Sequence, residues 1–418
     1  MLRHARLAGV VLVAAALLAA SCGGQGGSKP SSSASPASSS SSSAGASGGT
    51  IKIGFITSET GSQAAFGQAH IRGYEIALEE INAKGGVLGK KIELDKCDDT
   101  SKPDQAVQCV SKLVDQDHVP LIMGSYSSES TYAIVPVMTQ KQIPLIIPTA
   151  VADNVMQSGS PWIFRICAGS GDYARAMVDF LKHNGDPKTM AIIYENTNFG
   201  QSNDKSMRKA AADGGIRVID EEGYNAGSPD YKAMLQKVKA KHPDAIYFAS
   251  YLLDAVTLMH QARQVDLNAK YFTAAGTGFS AAEFPTPDKG AGKDAEYTFS
   301  VNQWLPDVSW PGAKEFDQKF FAKYGSHPAY HATEAYASLY AAAAAIEKAG
   351  SLDPAKIQQA LHQIDIQTAF GPVRFGESGQ NPHPVLISQV QNGKFATVWP
   401  TDAASAKPIY PTPAWNQR

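Results

Sequence analysis

Three groups of residues could carry chemistry, but none has the spacing that a catalytic or metal site needs. Residues 290–293 (Gly-Ala-Gly-Lys) lack the G-x-x-x-x-G-K-[ST] pattern that holds phosphates. His327 and His331 are four residues apart, but a metal site needs more ligands, so we expect both at the surface. Asp98 and Asp99 form one carboxylate pair at a predicted strand end, which is typical of a helix entry or a hinge. The sequence also contains no G-x-S-x-G elbow. It therefore predicts a protein that is not an enzyme and that binds no metal or cofactor.

The more informative residues are hydroxyl and aromatic side chains that follow predicted strands. Ser127 and Ser128 lie between a buried strand and a helix, where hydroxyl groups and free N–H groups suit a carboxylate. Either serine could instead only cap the helix. Ligands bind at such strand ends in open α/β sheets. The other candidates of this kind are Tyr126, Thr149, Phe199 and Tyr251.

Strands and helices that alternate along the chain must position these residues. A strand at 51–56 is followed by an amphipathic helix, and the pattern continues to a strand at 143–147. The same order restarts after Arg165. Two α/β lobes are therefore predicted, each a parallel sheet with helices on both faces. The last third contains an Ala-rich helix at 332–349 and then strands that resemble an antiparallel ribbon.

The N-terminus predicts export. A basic start and an apolar run of 14 residues, from 7 to 20, are too short for a spanning helix and fit a signal peptide over 1–21. Small residues precede Cys22, which we expect to be lipidated, although a plain secretory signal with an incidental cysteine is the alternative. Residues 22–50 then form a Ser/Gly-rich tether that cannot bury a core.

Three further cysteines would lie in an oxidising space. Cys97 ends a predicted strand and Cys109 lies on the next helix, so a disulfide between them is plausible, with two separate buried thiols as the alternative. Cys167 is expected to be a small buried residue. The 418-residue chain has a net charge of −2 and no basic stripe, which argues against nucleic-acid binding.

Several stretches resemble the leucine/isoleucine/valine-binding proteins of ABC importers, which have the type I periplasmic binding fold. They include residues 54–67, the Ile-Asn-Ala-Lys-Gly-Gly run at 81–86, Asp98-Asp99, residues 124–131 and Gly371-Pro372. The resemblance implies two doubly wound lobes joined by three hinge crossovers, near Arg165, Val301 and Thr368. Lobe 1 would comprise residues 51–165 and 302–367, and lobe 2 residues 166–301 and 368–418.

The resemblance also assigns a ligand site residue by residue. The serine that binds the ligand carboxylate corresponds to Ser128, and a backbone contact corresponds to Thr149. A second hydroxyl contact falls on Val151, which has no hydroxyl. The acid that pairs with the ligand ammonium falls near Gly276, and the family's disulfide positions fall on Ser101 and Ser127. The aromatic walls fall on Phe66, Phe199 and Tyr251.

The absence of an acid at Gly276 should disfavour ordinary α-amino acids, because a buried ammonium without a partner is costly. Asp254 or Glu195 could replace it. The expected ligand is a small amino acid, organic acid or amide, captured by hinge closure outside the cytoplasmic membrane and passed to ABC permease and ATPase subunits. The protein is expected to be a lipid-anchored monomer. The alternative is a ligand sensor of the same fold that signals to a membrane partner.

Overall fold

The computed structural model describes residues 49–418. The predicted signal peptide, Cys22 and most of the predicted tether lie outside the described residues, and the first strand already begins at Thr50. Within residues 49–418, no helix has the length and apolar character that crossing a membrane requires.

The first sheet has five parallel strands in the order β2-β1-β3-β4-β5. Buried strands covered by helices on both faces are what a parallel sheet requires. We call this sheet and the elements packed on it lobe 1. Its strands are β1 (Thr50–Thr57), β2 (Lys91–Asp98), β3 (Ile122–Met123), β4 (Leu145–Ile147) and β5 (Ile163–Arg165), with helices α1 (Ala64–Ala83), α2 (Pro103–Ser111) and α3 (Ser128–Lys141).

The second sheet has seven strands in the order β14-β13-β10-β9-β8-β6-β7, and we call it, with its helices, lobe 2. Five of the strands are parallel, and the last two form an antiparallel hairpin at one edge. The strands are β6 (Thr189–Glu195), β7 (Arg217–Tyr224), β8 (Ala245–Ala249), β9 (Tyr271–Ala274), β10 (Phe299–Asn302), β13 (Leu386–Gln391) and β14 (Lys394–Trp399). The helices are α4 (Ser170–His183), α5 (Asn198–Asp213), α6 (Lys232–Ala240) and α7 (Leu252–Gln264).

The segment between β10 and β13 returns to lobe 1. Its long helix α9 packs against α1 so closely that a Cβ at Gly73 would lie 2.0 Å from the carbonyl oxygen of Ala332. Only glycine allows this approach. The segment comprises α8 (Ala313–Tyr324), α9 (Tyr330–Ala349), α10 (Pro354–Leu361), β11 (Asp365–Thr368) and β12 (Gly371–Arg374), and the last two strands pair with each other rather than with the later hairpin.

The segments that connect the two lobes contact one another. The Gln303 side-chain oxygen accepts a hydrogen bond from the Ala168 N–H at 2.6 Å, and the Gln303 backbone carbonyl lies 2.8 Å from Nε2 of His383. Phe370 and Val373 pack in the same apolar core as Trp304. The division of the chain into lobes and the positions of the three crossovers stay predictions.

Cys97 on β2 and Cys109 on α2 are joined by a disulfide, and their Cα atoms are 5.6 Å apart. The bond links a strand of lobe 1 to the helix that follows it, and it closes a loop over a sequence separation of 12. Cys167 is a free, fully buried thiol, and burial raises its pKa.

Candidate functional site

Four aromatic rings from both lobes meet at the ends of the strands. Phe66 and Tyr126 of lobe 1 are stacked with ring centroids 4.7 Å apart, and Phe199 and Tyr251 of lobe 2 are 5.0 Å apart. Tyr251 lies 6.2 Å from both lobe 1 rings. All four are buried, with at most 8% of any side chain exposed. We call these residues the aromatic cluster; it joins the two lobes and places the predicted aromatic residues together.

Glu129 ties the lobes together beside the aromatic cluster. It lies in the first turn of α3 in lobe 1. Its Oε1 accepts a hydrogen bond from the Phe199 N–H at 3.1 Å, and its Oε2 accepts one from the Tyr251 hydroxyl at 3.3 Å. The lobes are therefore closed on each other. Glu129 is not among the site residues predicted from the sequence, although an acid inside the run of serines was the available signal.

The hydroxyl residues of lobe 1 lie next to Tyr126, either along the chain or through a hydrogen bond to its backbone. Ser127 Oγ accepts from the Ser130 N–H at 3.1 Å, so Ser127 is the N-cap of α3. Ser128 Oγ accepts from the Ala152 N–H at 3.3 Å, which leaves its own hydroxyl proton available to a ligand. Thr149 Oγ1 donates to the Tyr126 carbonyl at 3.0 Å. Ser128 therefore begins α3, and Thr149, on the loop after β4, is tied to the segment that precedes α3.

Gly276 has no room for a side chain. Its φ is +79°, and a Cβ there would lie 2.6 Å from the Val301 carbonyl oxygen. An acid therefore cannot stand at this position. The neighbouring Thr277 N–H donates to the Tyr330 hydroxyl at 3.0 Å.

Asp254 and Glu195, the two acids that could replace an acid at Gly276, already accept hydrogen bonds from the protein. Asp254 accepts hydrogen bonds from the Gly227 N–H and, at 2.8 Å, from the Tyr231 hydroxyl. Glu195 accepts from the Tyr251 N–H at 3.2 Å, and burial raises its pKa to about 8. Both carboxyl groups therefore accept hydrogen bonds from other residues of lobe 2.

His331 is buried on α9, so the expectation that it lies at the surface is wrong, whereas His327 is exposed as expected. The His331 ring lies 4.9 Å from Phe66 and stacks on Tyr330 at 4.0 Å. Gly73 allows the turn of α9 that carries His331 to approach α1 closely. Glu334, one turn further along α9, has no exposed surface.

In residues 49–418, no group of histidine, cysteine or acidic side chains could hold a metal ion. The site instead combines buried rings from two lobes with hydroxyl groups at strand ends. Two α/β lobes closed over such a set define a solute-binding protein of the type I periplasmic fold.

Comparison with known proteins gives the same result. The sequence matches the family described as periplasmic binding protein over residues 50–394. A "Leu/Ile/Val-binding protein homolog 8" from Brucella abortus is 32% identical over 378 residues, which cover 85% of this chain and 92% of the relative.

Two solved structures share the fold at 27% identity. The leucine-binding protein LivK from Thermotoga maritima has a TM-score of 0.78 and covers 83% of this chain and 97% of its own. LivJ from Streptococcus pneumoniae, a branched-chain amino acid transporter substrate-binding protein in complex with isoleucine, has a TM-score of 0.77 and covers 87% and 100%. This chain belongs to the leucine/isoleucine/valine-binding family of periplasmic binding proteins, which are not enzymes and work outside the cytoplasm.

Proposed function

We propose that this protein captures a small amino acid, organic acid or amide between its lobes and delivers it to ABC permease and ATPase subunits. The observation that carries the proposal is the aromatic cluster, to which both lobes contribute buried rings. A ligand between these rings would be removed from water on both sides, and burial and stacking would supply most of the binding energy.

The hydroxyl groups of Ser128 and Thr149 would fix one polar end of the ligand. Ser128 retains a free hydroxyl proton, and Thr149 lies on the next loop. A carboxylate that accepts a hydrogen bond from Ser128 would be oriented with its apolar body toward the rings. LivJ, with the same fold, holds isoleucine, which has a carboxylate and an apolar body of this kind.

We further propose that the protein is an exported monomer anchored in the membrane through a lipid on Cys22. The support is the order of a short apolar run, small residues, Cys22 and a Ser/Gly-rich tether. Cys22→Ser should move the protein from the membrane fraction to the soluble fraction of cells. Retention of the variant in the membrane would contradict the lipid anchor.

The ligand proposal is tested by thermal shift and calorimetric titration with apolar amino acids, aliphatic and aromatic carboxylates, and the matching amides. A ligand at 100 times its dissociation constant should stabilise the protein by about 2.7 kcal/mol. Ser128→Ala should weaken the binding of a carboxylate about 10- to 100-fold, because a hydrogen bond to a charged group contributes about 1.5–3 kcal/mol.

Ser326→Ala is the matched control, since Ser326 is exposed between α8 and α9. Its affinity should equal that of the unchanged protein. Chemical turnover of any bound compound, or equal affinities of all three proteins for a carboxylate, would contradict the proposed site.

A further inference from the structure

Three side chains behind the aromatic cluster carry buried polar atoms without a hydrogen-bond partner in the described part of the chain. They are Nε2 of His70, Nδ1 of His331 and both carboxyl oxygens of Glu334. Their side chains are at most 2% exposed, so water does not satisfy them from outside. Buried polar groups are almost always paired in folded proteins, and a set of unpaired groups points to a missing partner.

These three residues adjoin the aromatic cluster. The His331 ring lies 4.9 Å from Phe66 and 5.7 Å from Tyr126, and the His70 ring lies 5.5 Å from Tyr126. Glu334 follows His331 by three residues on α9 and therefore lies on the same face of the helix. Burial, and then the charges of Tyr330 and Glu334, raise the pKa of Tyr126.

Within the described residues, no cation forms an ion pair with Glu334. Among residues 49–418, neither Glu334 nor the cleft acids Glu129, Glu195 and Asp254 take part in an ion pair. The other three accept hydrogen bonds from the protein, whereas Glu334 accepts none.

A purely structural role does not account for Glu334. Burial raises the pKa of the Glu334 carboxyl and so disfavours its charged form, and the O–H of the protonated form would need an acceptor. Neither the protonated nor the charged form of the Glu334 carboxyl has a hydrogen-bond partner in the described part of the chain. The titratable groups that face it are Tyr330 and His331 on its own helix and, from other elements, Tyr126, Tyr173 and Cys167.

We propose that Glu334, flanked by His331 and His70, binds the ammonium group of the ligand and so replaces the acid that Gly276 cannot carry. The inference rests on the proposed function and narrows its ligand to an ammonium-bearing carboxylic acid. The carboxylate end lies at Ser128, and the ammonium end points toward α9. Both histidines are neutral, because burial lowers the pKa of His70 to about 3 and that of His331 well below its usual value. They therefore do not repel the cation.

The test compares two compounds with one carbon skeleton, L-leucine and 4-methylpentanoate, by calorimetric titration of the purified protein. The unchanged protein should prefer leucine. Glu334→Gln should weaken leucine binding about 30-fold or more and leave 4-methylpentanoate unaffected, because only the ammonium loses its charged partner. Glu347→Gln, an exposed acid on the same helix, is the matched control and should change neither affinity.

A second readout needs no variant. Because the ammonium favours the charged form of a carboxyl whose pKa burial has raised, leucine binding should release protons, and its enthalpy should depend on the ionisation enthalpy of the buffer. Leucine binding without proton release, or an unchanged leucine affinity in a folded Glu334→Gln protein, would overturn the inference. Equal or tighter binding of 4-methylpentanoate would overturn it and keep the proposed function. Failure to bind any amino acid, carboxylate or amide would overturn both.

Discussion

Removal of the Glu129 carboxylate should open the protein. In the closed structure this side chain accepts one hydrogen bond from the Phe199 N–H and one from the Tyr251 hydroxyl, and both cross between the lobes. Buried hydrogen bonds to a charged group contribute about 1.5–3 kcal/mol each, but Glu129 is only partly buried, so about 1 kcal/mol each is appropriate. Glu129→Ala should therefore lower the free-energy advantage of the closed form by about 2 kcal/mol.

This change shifts the ratio of closed to open protein about 30-fold. Since only the closed form surrounds a ligand, the dissociation constant should rise by up to about the same factor. The assay pairs calorimetric titration with small-angle X-ray scattering of the unliganded protein, in which the radius of gyration should increase. Glu315→Ala is the control, because Glu315 is likewise an acid in the first turn of a helix but is exposed on α8. An unchanged radius and affinity in Glu129→Ala would refute the reasoning.

Three further predictions concern stability. Gly73→Ala should lower the free energy of unfolding by about 1–3 kcal/mol in urea titrations, because its Cβ would meet the Ala332 carbonyl. Reduction of the Cys97–Cys109 bond should cost about 3 kcal/mol and lower the thermal midpoint, and Cys97→Ser should abolish the effect of reductant. The raised pKa of Glu195 contributes stability that is fully present below about pH 4.5 and is lost as pH rises toward about 8. Glu195→Gln should flatten this part of the pH–stability curve, and an equal slope in both proteins would contradict the assignment.

The fold could largely be predicted from the sequence because its strands and helices carry strong periodic patterns. The predicted strand at 51–56 lies within β1, and the Ala-rich helix expected at 332–349 lies within α9. The end of the chain was less predictable. The strands expected after the Ala-rich helix form two separate antiparallel pairs, β11 with β12 and β13 with β14, because a short strand does not reveal its partner in its own sequence.

Site residues that directly follow strands could be predicted from the sequence. Residues whose burial depends on the packing of distant helices could not. Tyr126, Phe199 and Tyr251 come together because strand ends of an open sheet share an edge. Their role toward a ligand stays a prediction. His331 and Glu334 lie on a helix, and their burial depends on how closely α9 approaches α1, which Gly73 sets from more than 250 positions away. No local pattern encodes a contact of that range.

The interleaving of the chain between the lobes bears on how the protein is made. The core of lobe 1 needs α9 and β12, and the sheet of lobe 2 needs β13 and β14, which end at Trp399. Neither half can therefore finish folding while most of the polypeptide is still emerging. A chain delivered N-terminus first through a secretion channel would stay incomplete, and so able to pass, until nearly its last strand has been delivered.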